Sequence, residues 1–567
     1  MNFNSEGKEE ISYDAIVVGT GISGGWAAKE LCEKGLKTLV LERGRDVKHM
    51  DYPTASLEAW DVPRGGRISH EEAKDYKVQL RTGYTVDEFT KHWWVKDTDQ
   101  PYEEVKPFDW IRGYHVGGRS LMWGRQSYRW ANIDFEANAK EGIAIDWPIR
   151  YDDIAPWYDY VESYIGVSGR AEGLSQLPDG KFLPPMQFNC VEQHVADSIK
   201  SNYSDRIMTI GRTANLTQEH KGRGTCQNRG RCIRGCPFGA YFSSQASTLP
   251  AAYSTGNMTL RPNSIVTEVI LDDANQKAKG VRIKDTETGA SYEFFSKIVF
   301  LNASCLGTTS ILMQSTSERF PDGMGNDSGQ LGHNLMDHHF QCGASGRSDD
   351  YKDKYFKGRR PNGIYVPRFR NVDNTSKMKD FVRGYGYQGG GNRSNWQSLV
   401  GESMIGSALQ EALTTPGDWA FGFHGFGEIL PYYDNKVELN RDVLDKWGMP
   451  TLTFDCEIKE NERAMREDMK TQAAEMCERA GLRDVHPWEN RYALGLGIHE
   501  MGTARMGHDP KTSVLNKWNQ IHAVKNVFVT DGACMTSAAC VNPSLTYMAL
   551  TARAADYAVR ALNNNEI

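Results

Sequence analysis

The most regular pattern of apolar and polar positions lies near the start of the chain, between residues 14 and 43. An apolar run of strand length, 14–18, leads into the glycine-rich residues 19–24, after which apolar residues recur at helical spacing as far as Gly35. A second apolar run, 38–41, has the length of a buried strand. The pattern predicts a strand, a tight turn, a helix and a second strand, in that order.

The glycines of this turn have the spacing G-x-G-x-x-G, at Gly19, Gly21 and Gly24. In a dinucleotide-binding unit the first glycine makes the turn, the second leaves room for a pyrophosphate, and the third lets the helix lie close to the strand. The helix N-terminus offers unpaired N–H groups to the phosphates. Glu42, at the end of the second strand, is placed to accept hydrogen bonds from a ribose diol, and Arg43 is assigned to the same site. The unit predicts an adenine dinucleotide and does not decide between FAD and NAD.

Two later segments repeat this arrangement. The apolar strand 298–301 leads into the turn 303–307 and a helix. Strand 524–530 ends at residues 531–532, before a helix that opens at 542–543. We therefore expect the N-terminal unit and the C-terminal strand and helix to share one domain, with the intervening segments inserted between them.

The intervening segments are less regular. A helix is predicted over 146–164 and a strand over 259–269. Residues 51–106 are rich in charged and aromatic side chains, and we interpret them as excursions over a cofactor. Residues 335–490 mix short strands with polar loops, which indicates a sheet that faces the active site. The predicted fold class is α/β.

Length and composition restrict the class of protein. The 567 residues are enough for two or three domains, and 39% hydrophobic and 25% charged residues are ordinary for a globular protein. A net charge of −7 argues against a nucleic-acid surface. No apolar run approaches the roughly 18–20 residues that span a bilayer. Residues 1–12 are polar and acidic, so we expect the chain to carry no export signal of its own.

Eleven cysteines are scattered along the chain except for Cys226, Cys232 and Cys236, which have the spacing C-x5-C-x3-C. Three thiolates on a short glycine-containing loop can converge on one metal centre, and three ligands fit a [3Fe–4S] cluster better than the clusters that need four cysteines. The alternatives are a zinc site with a fourth ligand elsewhere, a disulfide plus a free thiol, or buried cysteines. Four arginines surround the loop: Arg223, Arg229, Arg231 and Arg234. The alternatives for them are a solvated face, a balance for the negative charge of a cluster, and a docking surface for an acidic partner.

Five segments of the chain, in order, resemble the glucose–methanol–choline (GMC) family of FAD oxidoreductases. Together they span nearly the whole chain, and the element H-x-x-G-T-x-x-M-G with Asn-Pro 43 residues after its histidine is specific to that family. The matching segments are 19–24 with Glu42, 117–124, 303–307, 332–338, and 499–507 followed by 531–532 and 542–543.

Within this family the chain is most similar to the flavoprotein subunits of bacterial sugar dehydrogenases, the group of gluconate 2-dehydrogenase, FAD glucose dehydrogenase and glucoside 3-dehydrogenase. The resemblance implies a Rossmann-like FAD-binding domain over residues 13–335, with inserted loops and an iron–sulfur loop at 222–240. It implies a mainly substrate-binding domain on an antiparallel sheet over 336–490, and a return to the FAD-binding domain over 491–567. Met122 occupies the position where pyranose oxidase, a more distant relative, has the histidine that carries a covalent flavin, so we expect non-covalent FAD.

The motifs and the resemblance together assign the contacts to FAD. The loop 117–124 combines two adjacent glycines, a serine and a large aromatic residue, which suits a backbone pressed against a flat ligand; the alternative is an ordinary glycine turn. The expected FAD-binding residues are Gly19, Gly21, Gly24, Glu42, Arg43, Gly117, Gly118, Ser120, Trp123, Val266, Ala303, Asp531, Gly532, Asn542, Pro543 and Ser544.

Two residues are expected to act on the substrate. Removing the hydroxyl proton of an alcohol while hydride leaves the same carbon needs a base, and a histidine with a pKa of about 6.5 suits that task. The resemblance places this base at His499 and places at Asn542 the amide that holds the alcohol oxygen. An alternative for Asn542 is to cap the final helix ahead of Pro543. For His338 and His115 a structural role is favoured, and the alternative is that they line the site.

The resemblance implies an FAD-dependent sugar dehydrogenase that oxidises a secondary hydroxyl of a pyranose or glucoside, with C3 favoured, to the ketone or lactone. It further implies that electrons pass through a [3Fe–4S] cluster at Cys226, Cys232 and Cys236 to a cytochrome or quinone. The alternatives are an oxygen-using oxidase without this relay and a non-catalytic flavin- or cluster-binding subunit. Because the resembling enzymes work with a small subunit that carries the export signal, we expect such a partner, a cytochrome c acceptor and a periplasmic location, with the cytoplasm as the alternative.

Overall fold

The computed structural model describes residues 12–354, 361, 363–393, 406–414, 417–490 and 493–567. Its strands are β1 (Tyr13–Val18), β2 (Thr38–Leu41), β3 (Glu103–Glu104), β4 (Val167–Ser168), β5 (Phe182–Leu183), β6 (Thr209–Ile210), β7 (Met258–Arg261), β8 (Ser264–Asp272), β9 (Lys277–Asp285), β10 (Ser291–Leu301), β11 (His338–His339), β12 (Cys342–Ser348), β13 (Ile364–Val366), β14 (Tyr385–Arg393), β15 (Trp419–Glu428), β16 (Lys436–Leu444), β17 (Pro450–Asp455), β18 (Arg483–Glu489) and β19 (Val527–Val529). Its helices are α1 (Ile22–Glu33), α2 (His70–Ala73), α3 (Asn132–Glu141), α4 (Tyr151–Ile165), α5 (Cys190–Asn202), α6 (Thr248–Ser254), α7 (Cys305–Gln314), α8 (Ser407–Thr414), α9 (Glu460–Arg479) and α10 (Ser544–Asn563). None of the helices in this part of the chain combines the length and the apolar character that crossing a bilayer requires.

The predicted N-terminal unit forms the centre of a mixed sheet. β1 lies between β2 and β10 and runs parallel to both, with Ala15 opposite Thr38 on one side and Ile298 on the other. The sheet order is β7-β2-β1-β10-β9-β8, and β19 runs parallel to β10. Leu31 of α1 and Ala554 of α10 belong to one buried cluster with residues of β1, so helices cover these strands, as is usual for parallel sheets. The α/β prediction is confirmed, and the C-terminal strand and helix join the N-terminal unit.

The strand predicted over 259–269 is divided into two strands. β7 ends at Arg261 and β8 begins at Ser264. Pro262 between them has no N–H to donate to a neighbouring strand, and Asn263 has a φ of 55°, which is incompatible with extended backbone. The chain therefore turns at this point and enters the antiparallel hairpin of β8 and β9.

The helix predicted over 146–164 begins later than expected. α4 starts at Tyr151, because the carboxylate of Asp153 accepts the backbone N–H of Arg150 at 2.8 Å and so caps the helix there. It ends at Ile165, before Gly166 with a φ of 77°.

Residues 336–490 supply most of a second, antiparallel sheet. Its order is β18-β12-β15-β14-β13-β6, and β11 pairs with one end of β15. β6 comes from the N-terminal part of the chain. Side chains alternate between the two faces of a strand. Phe423 of β15 packs with Met469 of α9 in a buried core. His424 and Phe426 of the same strand therefore belong to the opposite face of the sheet. Gln388 of β14 lies opposite His424.

Two smaller sheets complete the fold. β17 pairs with β16 and β3, and β4 pairs with β5. Phe454 of β17 stacks on Phe108 with ring centroids 4.2 Å apart. The same buried cluster contains Leu306 of α7 and Leu335 just before β11, so it joins the small sheet to the segment between the two large sheets.

Candidate active site

A cavity of about 510 Å³ lies where the two large sheets face each other. Val18 and Leu41 at the ends of β1 and β2, and Asn302 directly after β10, line it on one side. Gln388 and Phe426 of the antiparallel sheet line it on the other. The cavity therefore opens at the carboxyl ends of the parallel strands, where α/β proteins bind their ligands.

The glycine turn of this wall fits a dinucleotide. Gly19 has a φ of 97°, and a Cβ there would overlap the carbonyl oxygen of Asn302. A Cβ at Gly24 would overlap the carbonyl oxygen of Gly19, which is why α1 can lie against the strand. Gly21 differs, because a Cβ there would meet no protein atom within 4 Å. Gly21 is thus not needed for packing and leaves the cavity side of the turn open to a pyrophosphate.

Buried polar atoms of the cavity wall also fit a polar cofactor. Among the described residues, no hydrogen-bond partner reaches the hydroxyl of Tyr547 or the Oδ1 atom of Asn302, and both residues line the cavity. A buried polar atom without a partner is costly to the fold. A ligand with polar groups, such as the ribityl and phosphate parts of FAD, offers the missing partners.

Glu42 and Arg43 both line the cavity. The Glu42 carboxylate accepts the N–H of Thr20 at 3.1 Å, the hydroxyl of Thr20 at 2.5 Å and the N–H of Gly44 at 3.0 Å, and burial raises its pKa. In addition to the predicted contact with a ribose, this carboxylate therefore holds the glycine turn to β2. Arg43 pairs with Asp445 at 2.7 Å.

Most of the residues predicted to bind FAD lie on the cavity wall. Gly24, Gly117 and Pro543 lie beside it, and the N–H of Gly117 donates to the Thr20 hydroxyl at 2.9 Å, which joins the two glycine loops. The predicted residues that line the cavity are Gly19, Gly21, Glu42, Arg43, Gly118, Ser120, Trp123, Val266, Ala303, His499, Asp531, Gly532, Asn542 and Ser544.

The two residues predicted to be catalytic meet in this wall. Nε2 of His499 lies 3.5 Å from Nδ2 of Asn542. The Oδ1 atom of Asn542 accepts a hydrogen bond from Nε2 of Gln388 at 2.6 Å. Pro543 is the N-cap of α10, and no side chain caps this helix end. The interpretation of Asn542 as a helix cap is therefore wrong, because its side chain is held by Gln388 and directed at His499.

His338 contacts the predicted base directly. Its Nδ1 atom lies 2.8 Å from Nδ1 of His499, and its Nε2 atom lies 3.1 and 3.0 Å from the carbonyl oxygens of Ala538 and Ala539. Burial lowers the pKa of His338 to about 4. Burial, the neighbouring His338 and the charge of Arg119 lower the pKa of His499 well below its ordinary value. The sequence pattern placed His338 either in the site or in a structural role, with the structural role favoured, and it did not indicate this contact.

Asp337, next in the chain to His338, was not predicted as part of the site. One oxygen of its carboxylate accepts the N–H groups of Gly495 and Gly497 at 2.8 and 2.9 Å, and the other accepts the N–H of His499 at 3.0 Å. Burial and the neighbouring Glu500 raise the pKa of Asp337 to about 7. The carboxylate thus holds the backbone that carries the predicted base, His499. The motif that ends in Asp337-His338 was a signal for both residues.

A partly buried ion pair lies beside the predicted base. Nη2 of Arg119 is 2.8 Å from the Glu500 carboxylate and donates to the Ser304 hydroxyl at 2.8 Å. These three residues line the cavity. Their contacts connect three segments of the chain: the loop that contains Arg119, the turn before α7 that contains Ser304, and Glu500 next to His499.

The cavity next to His499 has an aromatic wall. Phe340 stacks on Phe426 with centroids 4.8 Å apart, and Phe426 lies 6.5 Å from the His499 ring. Tyr84 meets Phe340 edge-on at 6.1 Å and donates its hydroxyl to the carbonyl of Leu496 at 3.0 Å. Because Tyr84 comes from the irregular segment 51–106, that segment reaches the cavity, in keeping with its interpretation as an excursion over a cofactor.

His115 lies behind the wall. It is buried, its Nδ1 atom lies 3.1 Å from the carbonyl oxygen of Val116, and its ring is 5.0 Å from that of Trp93. These contacts give it the structural role that was expected.

The three clustered cysteines, Cys226, Cys232 and Cys236, line one small pocket. All eleven cysteines of the chain are free thiols, so the alternative of a disulfide plus a free thiol is wrong. In the described part of the chain, no three His, Cys, Asp or Glu side chains converge as metal ligands, so this geometry supports neither the zinc alternative nor the predicted cluster. Cys232 begins a short turn, Cys232–Arg234, in which Ile233 lines the large cavity. The pocket and the cavity are therefore neighbours across Ile233.

The arginines around the cysteines bind the loop to the rest of the protein. Arg231 pairs with Glu58, and Arg234 donates to the carbonyl of Leu57 at 2.9 Å. Arg229 lies over the exposed ring of Phe238 at 5.3 Å. Two of the arginines thus anchor the loop to residues 57–58, and Arg229 stays at the surface.

Sequence models of one family match most of the chain. A model described as GMC oxidoreductase matches residues 13–340, and a second one with the same description matches residues 431–551. The first match alone covers more than half of the chain. It contains the glycine turn and His338, and the second contains His499 and Asn542.

Two relatives align with almost the whole chain. The 2-methyl-1,2-propanediol dehydrogenase of Mycolicibacterium austroafricanum is 28% identical, over 97% of this chain and 96% of that protein. The fructose dehydrogenase large subunit of Gluconobacter japonicus is 25% identical, over 97% and 98%. Among solved structures, pyridoxine 4-oxidase from Mesorbium loti superposes with a TM-score of 0.57 at 15% identity, over 96% of this chain and 98% of that one, which shows a shared fold.

Proposed function

Because this chain belongs to the GMC oxidoreductases, a family of FAD-binding enzymes, we propose that it is a dehydrogenase that oxidises a secondary hydroxyl of a sugar or glycoside. The observation that carries the proposal is the pair of His499 Nε2 and Asn542 Nδ2, 3.5 Å apart, in the wall of the cavity that also contains the glycine turn. The resemblance to glucoside 3-dehydrogenases makes C3 of a pyranose or glucoside the favoured position.

The pair offers one donor and one acceptor to a substrate hydroxyl. An alcohol oxygen between them accepts a hydrogen bond from Nδ2 of Asn542, and its proton points at Nε2 of His499. The low pKa of His499 keeps this nitrogen unprotonated. As the carbinol C–H bond breaks, the O–H electron pair forms the carbonyl bond and the proton moves to His499. FAD, when bound, supplies the acceptor for the departing hydride.

The wall around the pair supports a sugar as the substrate. Phe340, Phe426 and Tyr84 supply aromatic surface, and the amides of Gln388 and Asn542 supply hydrogen-bonding groups. A pyranose ring has an apolar C–H face and a hydroxyl edge, so it matches both kinds of surface. The similarity to a fructose dehydrogenase subunit supports the same substrate class.

The cysteine pocket supports an electron exit through a [3Fe–4S] cluster. The three cysteines line one pocket, and in such a cluster each of three thiolates would bind a different iron. A bound cluster accepts electrons singly. Ile233, which follows Cys232, lines the large cavity, so a cluster held in the pocket would lie next to the proposed FAD site. We propose that a cytochrome c or a quinone takes the electrons, and that a companion subunit carries the export signal to the periplasm.

The test of the proposed reaction is anaerobic bleaching of the bound flavin by a panel of sugars and glucosides, with identification of the product by NMR. We expect a keto-sugar, first a 3-keto product, and a His499→Ala variant that keeps its flavin but bleaches roughly 10²–10⁴-fold more slowly. Wild-type flavin that no sugar, glycoside or polyol bleaches would overturn the proposal, as would an alanine variant that reacts at the wild-type rate.

The test of the electron exit is iron and acid-labile sulfide content together with turnover on one-electron acceptors. Cys232→Ser is expected to remove iron and acceptor turnover while sugars still bleach the flavin. Cys190→Ser is the matched control, because Cys190 is a half-buried free thiol on α5, outside the cysteine pocket. Absence of iron, with oxygen as the faster acceptor and hydrogen peroxide as the product, would identify an oxidase instead.

A further inference from the structure

We infer that His338 is a positioning residue that holds His499 in the tautomer whose Nε2 atom is unprotonated, the form that can take the hydroxyl proton of the substrate. The inference rests on the proposed role of His499 as the base. It goes beyond that role, because it assigns the protonation of four ring nitrogens and the residue that sets it.

The assignment begins at two backbone carbonyls. Nε2 of His338 lies 3.1 Å from the oxygen of Ala538 and 3.0 Å from the oxygen of Ala539. A carbonyl oxygen can only accept a hydrogen bond, so Nε2 of His338 must be the donor and must carry a proton. Backbone carbonyls cannot reverse this direction under any condition in which the fold persists.

The second step follows from burial. His338 has none of its surface exposed, and this burial lowers its pKa to about 4, so its ring is neutral at ordinary pH. A neutral imidazole with a proton on Nε2 has a lone pair on Nδ1. Nδ1 of His338 lies 2.8 Å from Nδ1 of His499, so the latter is the donor of that contact and carries a proton.

The third step reaches the substrate side. His499 is also neutral, so a proton on its Nδ1 leaves Nε2 with a lone pair. That atom faces Nδ2 of Asn542, which is a donor because Gln388 occupies the Oδ1 end of the same amide. The two carbonyls make Nε2 of His499 an acceptor, and Gln388 makes Nδ2 of Asn542 a donor. A substrate hydroxyl placed between them would therefore find both of the partners that it needs.

Among the residues that the structure describes, Nδ1 of His499 has a hydrogen-bonding contact with His338 and with no other side chain. The charged groups nearest to the two rings are Asp337, the Arg119–Glu500 pair and Glu428. Asp337 is engaged with backbone N–H groups, and Arg119 and Glu500 with each other. Glu428 is the strand partner of His338, and its carboxylate lies 3.7 Å from Nη1 of Arg383. His338 is therefore the group that determines the His499 tautomer.

A second consequence concerns the proton after the reaction. When Nε2 of His499 takes the substrate proton, the ring becomes a cation, and its Nδ1–H still points at the lone pair of His338. That lone pair stabilises the cation in the way that the buried carboxylate of a Ser-His-Asp triad stabilises its imidazolium. The same contact thus selects the reactive tautomer and supports the charge that forms on it.

A matched pair of variants separates these roles from a purely structural one. His338→Asn places an amide oxygen near the position of Nδ1 and keeps an acceptor for His499. His338→Gln places an amide nitrogen near the position of Nε2, so it keeps the donor to Ala538 and Ala539 but loses the acceptor. Both side chains are polar amides, so the two variants differ mainly in which end of the imidazole they replace.

We expect His338→Gln to lower the limiting rate of anaerobic flavin bleaching roughly 10- to 100-fold, with little change in the apparent Kd for sugar. His338→Asn is expected to retain most of the wild-type rate. Equal rates in wild type and His338→Gln would overturn the inference. Equal losses in both variants, accompanied by loss of flavin, would also overturn it, because they would show a structural role only.

A readout without turnover is the 15N NMR spectrum of the flavin-loaded enzyme labelled with 15N-histidine, in which the His499 signals are those missing from His499→Ala. We expect a protonated Nδ1 and an unprotonated Nε2 in wild type and in His338→Asn, and a mixture in His338→Gln. The reverse tautomer in wild type would overturn the inference. If the spectra agree but His499→Ala bleaches at the normal rate, the proposed base fails while the tautomer assignment stands.

Discussion

The side-chain amide of Gln388 donates a hydrogen bond to the Oδ1 atom of Asn542 over 2.6 Å, so a strand of the antiparallel sheet fixes which end of Asn542 faces His499. The contact joins residues 154 positions apart in the chain. The orientation of Asn542 in the candidate active site therefore depends on the position of the antiparallel sheet, and not only on the loop that carries Asn542.

Replacing Gln388 by Glu is expected to slow anaerobic flavin bleaching more than replacing it by Leu. The carboxylate of Gln388→Glu attracts the Nδ2 end of Asn542 and so turns its Oδ1 end toward the substrate oxygen. Gln388→Leu only frees the amide, and the loss of one hydrogen bond of about 1 kcal/mol corresponds to roughly 5-fold in rate. Stopped-flow measurement of both variants checks the order, and a Glu variant as fast as the Leu variant would contradict it.

Replacing Asp337 by Asn is expected to loosen the segment that carries the base. The carboxylate accepts three backbone N–H groups with two oxygens, whereas an amide has one accepting oxygen and turns an NH₂ group toward the others. Leaving buried N–H groups without a partner costs about 1–3 kcal/mol. We expect a lower temperature of flavin release and a bleaching rate reduced about 10-fold.

The matched control for Asp337→Asn is Asp273→Asn, an exposed carboxylate in the turn between β8 and β9. This variant should behave as wild type in both measurements. An Asp337→Asn protein with unchanged thermal release and unchanged rate would show that the carboxylate is not needed to hold the loop.

The pH dependence of flavin bleaching should show a base with a depressed pKa. Burial, His338 and Arg119 lower the pKa of His499 well below 6.5, so the ring stays unprotonated as the pH falls from about 8 to 6.5. The limiting rate should therefore be level over this range and should decline only at lower pH. An acid limb at or above pH 6.5 in the wild-type enzyme would contradict the assignment.

Replacing Arg119 tests whether its charge contributes to the low pKa of His499. Arg119→Met removes a positive charge near His499 and leaves Glu500 unbalanced, and both changes favour the protonated ring. We expect the acid limb to move to higher pH in Arg119→Met and to stay near the wild-type position in Arg119→Lys. The comparison uses variants that retain their flavin, as judged by absorbance.

The turn glycines should differ in how they respond to a methyl group. Gly21→Ala adds a methyl in open space, so the apoprotein should fold normally and bind FAD roughly 10- to 100-fold more weakly. Gly24→Ala places a methyl on the carbonyl oxygen of Gly19, so folded protein itself should be lost. Circular dichroism and flavin-fluorescence titration separate the two outcomes, and a Gly21→Ala protein with wild-type FAD affinity would remove the proposed pyrophosphate contact.

These contacts also show which parts of the molecule can be predicted from sequence. The turn at Gly19–Gly24 is predictable because its glycine spacing and the flanking apolar runs lie within one short stretch of sequence, although Gly19 packs against the distant Asn302. The break between β7 and β8 at Pro262 and Asn263 also has a local cause. The apolar residues on both sides nevertheless continue the strand pattern, and so the pattern predicts one strand. His338 and His499 lie 161 positions apart, and no periodicity indicates that their Nδ1 atoms meet. Contacts between residues so far apart in the chain depend on the position of the two large sheets relative to each other.

The position of β19 beside β10 has a consequence for biosynthesis. Asp531, Gly532 and Asn542 are synthesised long after the glycine turn that lines the same cavity. A nascent chain that has not yet reached Asp531 therefore lacks one wall of the predicted FAD site and one member of the proposed catalytic pair. We expect such a chain to bind FAD weakly and to leave alcohols unoxidised.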